Sequence, residues 1–232
     1  MADADPELAG PEEVLHPTLF SEIAVVASLG IAVLALFVFG WLGDEILRGE
    51  TLHFDQAVRS WVHQFASPGM TRAMTFFSLL GYNVLIIEML IAFGVFAWLR
   101  WRRAAAWLAV AMAGALTLDT ALKYAYHRVR PEAFFGVSPH SYSFPSGHAL
   151  CSFCFYGVLA GLLSARTKAL SWRIFIWTLA TVLVIAIGLS RIYLGVHYPS
   201  DVLGGYLGAA VWVGTIIGLD HVIKKRKRRK TG

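Results

Sequence analysis

Six apolar runs, each close to the length that crosses a bilayer, constrain this chain more than any other feature. They cover Ile23–Leu42, Phe76–Leu99, Ala104–Leu122, Ala149–Ser164, Trp172–Leu189 and Val202–Leu219. About 20 apolar residues in helical form bridge the hydrocarbon core of a membrane. Backbone groups surrounded by lipid must bond to one another, so such runs fold as helices. Hydrophobic residues fill 57% of the 232 positions and the mean hydropathy is +0.60, beyond the roughly 45–50% apolar content of soluble domains. The expectation is an all-α, polytopic membrane protein with about six transmembrane helices. One membrane domain over 23–219 would follow an acidic arm over 1–22 and precede a basic tail over 220–232.

The first run reads as a retained helix and not as a cleaved signal, because Asp3, Asp5, Glu7, Glu12 and Glu13 precede it and no Lys or Arg does. Orientation follows from basic residues in the short connections. Arg100, Arg102 and Arg103 follow the second run; Arg166, Lys168 and Arg173 follow the fourth; Lys224 to Lys230 follow the sixth. With six spans these clusters share one face, which is expected to be cytoplasmic with both termini on it, while Arg48, Arg59 and Arg72 fall on the other. The net charge of +5 does not point to nucleic acid, since the densest basic block adjoins the last run. A juxtamembrane block of that kind attracts anionic headgroups at about 1 kcal/mol per residue. Membrane lipids are therefore the expected surroundings of a multi-pass protein of the cell membrane.

Three polar stretches stand at the edges of these runs: Lys123 to Pro131 (KYAYHRVRP), Pro145 to His148 (PSGH) and Ser190 to Asp201 (SRIYLGVHYPSD). The first leaves the third run, the second enters the fourth and the third joins the fifth to the sixth. All three then fall on the extracytoplasmic face and can line one pocket. A phosphate ester needs several donors around its charged oxygens, which Arg supplies as a planar fork and Lys as a point charge. Lys123, Arg130 and Arg191 fit that need. Ser146 and Gly147 precede an apolar helix, where exposed backbone N–H groups and the positive dipole end receive anions.

His197 and Asp201 are four residues apart at the entry to the sixth run. A carboxylate bonded to one ring nitrogen sets the tautomer and leaves the other nitrogen's lone pair to attack phosphorus. On that reading His197 is the nucleophile and His148 the general acid that protonates the departing alkoxide. Spacing alone also permits the reverse, with His148 attacking.

Together the three stretches resemble the signature of the type 2 phosphatidic acid phosphatase superfamily. Its fixed positions correspond to Lys123, Arg130 and Pro131, to Pro145, Ser146, Gly147 and His148, and to Ser190, Arg191, His197 and Asp201. The likeness extends over roughly Ala104–Leu219. It implies a six-helix membrane fold, metal-independent hydrolysis of a lipid phosphate through a phosphohistidine, no cofactor, and a pocket opening towards the outer leaflet. Arg128 matches a further basic position of the first motif. Vanadate-dependent haloperoxidases share the constellation but are soluble, so the apolar spans argue against that branch.

The remaining polar residues have plainer readings. Cys151 and Cys154 form a C-x2-C without a second pair, whereas zinc usually takes four ligands or three plus water; they read as buried thiols, with no metal. Asp119, one turn before Lys123, is expected to steer its amine, and Glu88 to make an interhelical hydrogen bond. Arg128, like Asp119, is a candidate either for support behind the phosphate-binding groups or for headgroup contact, and His127 and His140 are candidates for headgroup contact. Phe54, Ala57, Val58, Trp61, Val62 and Phe65 follow helical spacing and suggest an amphipathic surface helix within 45–70. Two rival functions share these features, a phosphatase for a water-soluble ester and a transporter. Phosphatidic acid, phosphatidylglycerol phosphate and polyprenyl mono- or diphosphates present nearly the same phosphate to such a pocket.

Overall fold

The computed structural model describes residues 17–231. It contains eight helices and, among the described residues, no strand: α1 (Pro17–Arg48), α2 (Leu52–His63), α3 (Pro68–Leu80), α4 (Asn83–Trp98), α5 (Arg102–Tyr126), α6 (Gly147–Ser164), α7 (Leu170–Tyr193) and α8 (Pro199–Thr231). Five segments are long and apolar enough to cross a membrane: Val25–Arg48, α5, α6, α7 and Pro199–Arg226. Large apolar side chains such as Val33, Phe37, Ile174 and Val182 on these helices, and Ile86 and Leu90 on α4, stay exposed, as a lipid-facing surface requires.

The second apolar run differs from expectation. Instead of one helix over Phe76–Leu99, it is divided between α3 and α4, which meet at a bend of 45° and together satisfy the length and hydropathy of a sixth span. Helix α3 starts ahead of that run because Ser67 caps it, its Oγ accepting from the Met70 N–H at 3.2 Å, with Pro68 following. It ends at Gly81 because space demands it. A Cβ there would lie 2.4 Å from Ile187 Cγ2 and 3.0 Å from His148 Cδ2. The break brings the backbone against α6 and α7 and lays the Tyr82 ring on His148.

The bundle packs on α6, whose buried face (Leu150, Cys154, Phe155, Val158) meets α5 through Leu108, Ala111 and Ala115 and α7 through Val184 and Ile187. Small side chains on α5 allow close approach, the usual source of helix affinity in lipid. Polar bonds cross the interfaces. Tyr156 Oη donates to Glu88 Oε2 at 2.7 Å, giving Glu88 the expected interhelical bond, Trp212 Nε1 donates to the Ala111 carbonyl at 3.0 Å and Tyr206 Oη to the Val184 carbonyl at 2.7 Å. Cys151 and Cys154 are buried free thiols.

Both ends of the domain extend beyond the apolar runs. Helix α1 begins at Pro17, and most of the acidic arm over 1–22 lies outside the described residues. Helix α8 continues through the basic stretch to Thr231, and Asp220 on it pairs with Arg103 of α5 and with Lys224. The start of α5 and the end of α8 therefore share one end of the bundle. Helix α2 lies against the other end with an inverted arrangement. Phe54, Trp61 and Phe65 face outward, whereas Asp55 is fully buried and Arg59 donates to the Glu132 and Gly195 carbonyls at 2.7 and 3.0 Å.

Substituting Gly81→Ala forces a methyl against β-branched, stiff Ile187. Overpacking of this kind costs about 1–3 kcal/mol. The expected outcome is a lower thermal midpoint in detergent together with altered packing of Tyr82 on His148, read by thermal unfolding and Tyr82 fluorescence quenching.

Candidate active site

Three chain segments meet at the end of the bundle away from Asp220. The last turn of α5 and the segment after it bring Lys123, Arg128 and Arg130; the start of α6 brings Ser146, Gly147 and His148; the end of α7, the turn after it and the first turn of α8 bring Arg191, His197 and Asp201. They surround a cavity of about 1240 Å³ lined by Lys123, Arg130, Gly147, His148, Arg191 and His197, with Asp119 and Arg128 also reaching its wall. Ser146 and Asp201 are wholly buried. The Ser146 N–H donates to the Asp201 carbonyl at 2.9 Å, which ties the first turn of α6 to the first turn of α8.

His197 is presented by a tight turn. Gly195 has φ +79°, a region that favours glycine, and a Cβ on it would lie 2.5 Å from Phe134 N. The His197 and Val196 N–H groups both donate to the Arg191 carbonyl, at 3.3 and 3.2 Å. The ring Nε2 is 2.8 Å from Arg130 Nη1, while Nδ1 is 3.4 Å from Asp201 Oδ2 and 3.5 Å from Ser143 Oγ. A guanidinium only donates. Nε2 therefore carries the lone pair and the proton sits on Nδ1, facing Asp201. Burial drives the imidazole's pKa down to about 3, against the pull of Asp201, so the ring is neutral at physiological pH.

Asp201 is held from every side. Its Oδ2 accepts from Ser143 Oγ and, at 2.8 Å, from the Tyr198 N–H; its Oδ1 accepts from Arg128 Nη1 at 2.7 Å. Arg128 also donates to Ser200 Oγ at 2.7 Å, Thr51 Oγ1 at 3.0 Å and Asp55 Oδ2 at 2.7 Å. Its guanidinium is thus bonded to protein oxygens behind His197 while still reaching the cavity wall. His127, another headgroup candidate, packs instead against Tyr124 and Tyr142. His140 lines the cavity and is exposed.

The other cations keep donors in reserve. Arg191 Nη1 donates to Ser78 Oγ, and its buried Nε has no hydrogen-bond partner among the described residues; nor does Ser146 Oγ. Lys123 Nζ is 2.6 Å from Asp119 Oδ2, the pairing expected from their spacing. Arg130 bonds the Ser141 carbonyl at 2.7 Å, Ser141 Oγ at 2.9 Å and the Val196 carbonyl at 2.9 Å, and burial lowers its pKa. The His148 ring stacks on Tyr82 with centroids 5.4 Å apart.

Sequence reasoning did not assign Asp55, Ser78, Tyr82 or Ser143 to the site. A signal for Asp55 existed: Thr51, Asp55, Arg59 and His63 recur every four residues and form one polar stripe on α2. Ser78, Tyr82 and Ser143 carry no comparable pattern.

Fold and pocket together define a polytopic helical membrane protein whose spans converge on a histidine–carboxylate pair among cations. A sequence profile described as the PAP2 superfamily matches residues 104–221. Phosphatidylglycerophosphatase B of Bacillus subtilis is 36% identical over 113 residues, covering 48% of this chain and 56% of that protein. An undecaprenyl-diphosphatase of Sulfolobus acidocaldarius is 31% identical over 114 residues, covering 47% and 51%. The chain thus spans about half the length of these curated relatives. Among solved structures, the transmembrane PAP2-type phosphatidylglycerolphosphate phosphatase from Bacillus subtilis superposes with a TM-score of 0.75 at 27% identity, covering 83% of this chain and 96% of that one. The chain is a multi-pass membrane protein and belongs to the PAP2 superfamily.

The neutral, buried His197 has a consequence for stability. Its native pKa near 3 lies below the unfolded value of about 6.5, so between these limits the unfolded chain binds a proton that the native chain does not. This contribution to stability is complete above the unfolded pKa and is lost as pH falls towards the native one. The thermal midpoint in detergent is expected to drop between pH 7 and pH 4, and His197→Gln to flatten that drop.

Proposed function

We propose that this chain is a membrane lipid phosphatase that hydrolyses a phosphate mono- or diphosphate ester of an amphiphilic lipid through a phosphohistidine. The observation that carries the proposal is the His197 tautomer, a neutral ring with its Nε2 lone pair turned into a cation-lined cavity and its Nδ1 proton towards Asp201. Such a ring is a nucleophile ready for use. A phosphate monoester brings a charge of about −1.5 to −2 at neutral pH, and Lys123, Arg130, Arg191 and the α6 N-terminus offer donors around it.

In the first step Nε2 forms a bond to phosphorus as the P–O bond to the lipid breaks. His148, which takes up a proton as the anionic phosphate binds beside it, gives that proton to the departing oxygen, an alkoxide for a monoester or a lipid monophosphate for a diphosphate. Arg130 turns from Nε2 to a phosphate oxygen as the lone pair is used. In the second step water attacks phosphorus and yields a proton to His148, the N–P bond breaks, and inorganic phosphate leaves. Charge neutralisation by the cations lowers both barriers.

The substrate class follows from position. The cavity lies where helices leave the apolar region, the depth at which a lipid headgroup sits while its tails remain in the bilayer. The Bacillus and Sulfolobus relatives carry the names of a phosphatidylglycerophosphatase and an undecaprenyl-diphosphatase, which supports a lipid phosphate over a soluble ester. The site is assigned to the extracytoplasmic face, because the basic clusters at Arg100–Arg103, Arg166–Arg173 and Lys224–Lys230 lie at the other end of the bundle. Of the cations on the site's side, Arg48 pairs with Asp44 at 2.7 Å and Arg59 is bonded into the protein.

Phosphate release in detergent with excess chelator, on phosphatidic acid, phosphatidylglycerol phosphate, undecaprenyl diphosphate and glucose 6-phosphate, tests the chemistry. The expected result is chelator-resistant release from at least one lipid and its loss in His197→Ala. Release that survives His197→Ala would refute the mechanism. A membrane-impermeant maleimide applied to intact cells tests the topology: Val137→Cys is expected to be labelled and Lys168→Cys protected, and the reverse pattern would place the site inside.

A further inference from the structure

Asp55 belongs to none of the three motifs, yet it is the one α2 side chain buried completely, at 0% exposure. Its Oδ1 accepts from the Ser200 N–H at 3.0 Å; its Oδ2 accepts from Ser200 Oγ at 2.6 Å and from Arg128 Nη2 at 2.7 Å. Two routes therefore lead from Asp55 to Asp201. One passes through the Ser200 backbone at the first turn of α8, where a carboxylate also complements the helix dipole. The other passes through Arg128, whose guanidinium bridges Asp55 and Asp201 with Nη2 and Nη1 and lies 4.4 Å from the Tyr198 ring centre.

We infer that Asp55 is a positioning residue of the proposed reaction, which keeps Asp201 electrostatically available to His197 by sharing the charge of Arg128. The inference rests on His197 as nucleophile. When Nε2 bonds to phosphorus while Nδ1 keeps its proton, the ring becomes cationic. Arg130 at 2.8 Å from Nε2 opposes that charge, and Arg191 and Lys123 line the same cavity. An anion behind the ring must compensate in a region of low dielectric. Asp201 alone against Arg128 would form a neutral pair. With Asp55 the buried trio of two carboxylates and one guanidinium keeps a net negative charge, and Asp201 directs it at Nδ1.

A purely structural tie between α2 and α8 would use the same hydrogen bonds, so the test must separate charge from shape. Asp55→Asn keeps the volume and one accepting oxygen but removes the charge. Its kcat on phosphatidic acid in detergent micelles is expected to fall about 10- to 100-fold, the usual cost of losing a partner behind a reacting group, with KM within about threefold. The double variant Asp55→Asn/Arg128→Gln discards the unbalanced guanidinium as well. It is expected to regain at least fivefold in kcat over Asp55→Asn, a coupling that independent structural losses do not produce. Orthovanadate, which takes the five-coordinate geometry of phosphoryl transfer, is expected to raise the thermal midpoint of wild type and of the double variant more than that of Asp55→Asn.

If Asp55→Asn keeps kcat within twofold while His197→Ala abolishes release, the inference fails and the mechanism stands. If His197→Ala retains release, the mechanism itself fails. Additive losses in the double variant, or loss of its orthovanadate shift, would reduce Asp55 to a structural tie. Should Asp55→Asn not fold, the charge-balanced double variant decides alone: kcat within tenfold of wild type supports the inference, and a folded but inactive protein overturns it.

Discussion

The carboxylate of Asp201 is the point at which separate parts of the chain are held to one another. It accepts from Ser143 in the α5–α6 segment, from Arg128 after α5 and from the Tyr198 backbone, and it faces His197. Its own carbonyl accepts the Ser146 N–H that opens α6. A buried carboxylate is costly unless its lone pairs are used. Here they are used by the α5–α6 segment and by the α7–α8 turn, so satisfying one charge also fixes how these two connections meet at this end of the bundle.

The same principle orders the surrounding cations. Lys123 is met by Asp119, and Arg128 by Asp55 and Asp201, whereas Arg130 and Arg191 have neutral partners: carbonyls, hydroxyls and an imidazole. Four cations thus line the cavity against the carboxylates of Asp119 and Glu132, leaving a positive balance at its wall. Such a balance is what the proposed phosphate-bearing substrate would need. Arg191, which lines the cavity, and Ser146, next to the lining residue Gly147, hold buried polar atoms with no protein partner among the described residues.

The three motifs were legible in the sequence because each concentrates charge beside an apolar run, and helix periodicity then brings them to one end. The pairing of Asp119 with Lys123 followed from their separation on one helix. What could not be read were contacts set by tertiary packing. The break at Gly81 depends on the bulk of Ile187 and His148 on other helices, and hydropathy passes straight over it. Asp55 was hidden by a sound general rule, that the polar face of a surface helix meets water; α2 reverses this and turns its polar stripe towards the protein. The role of Arg128 stayed open for the related reason that a motif arginine looks the same whether it meets a ligand or two carboxylates.

The size of the cavity bears on how the site selects. At about 1240 Å³ it has the volume of roughly forty water molecules at about 30 Å³ each, far more than one phosphate displaces. A chamber of that capacity grips its guest at one end and leaves the remainder loosely contacted. Under the proposed function, selection among lipids would then fall to leverage, that is, to how far a given glycerol or prenyl stem can extend its phosphate from the bilayer towards Arg191 and His197.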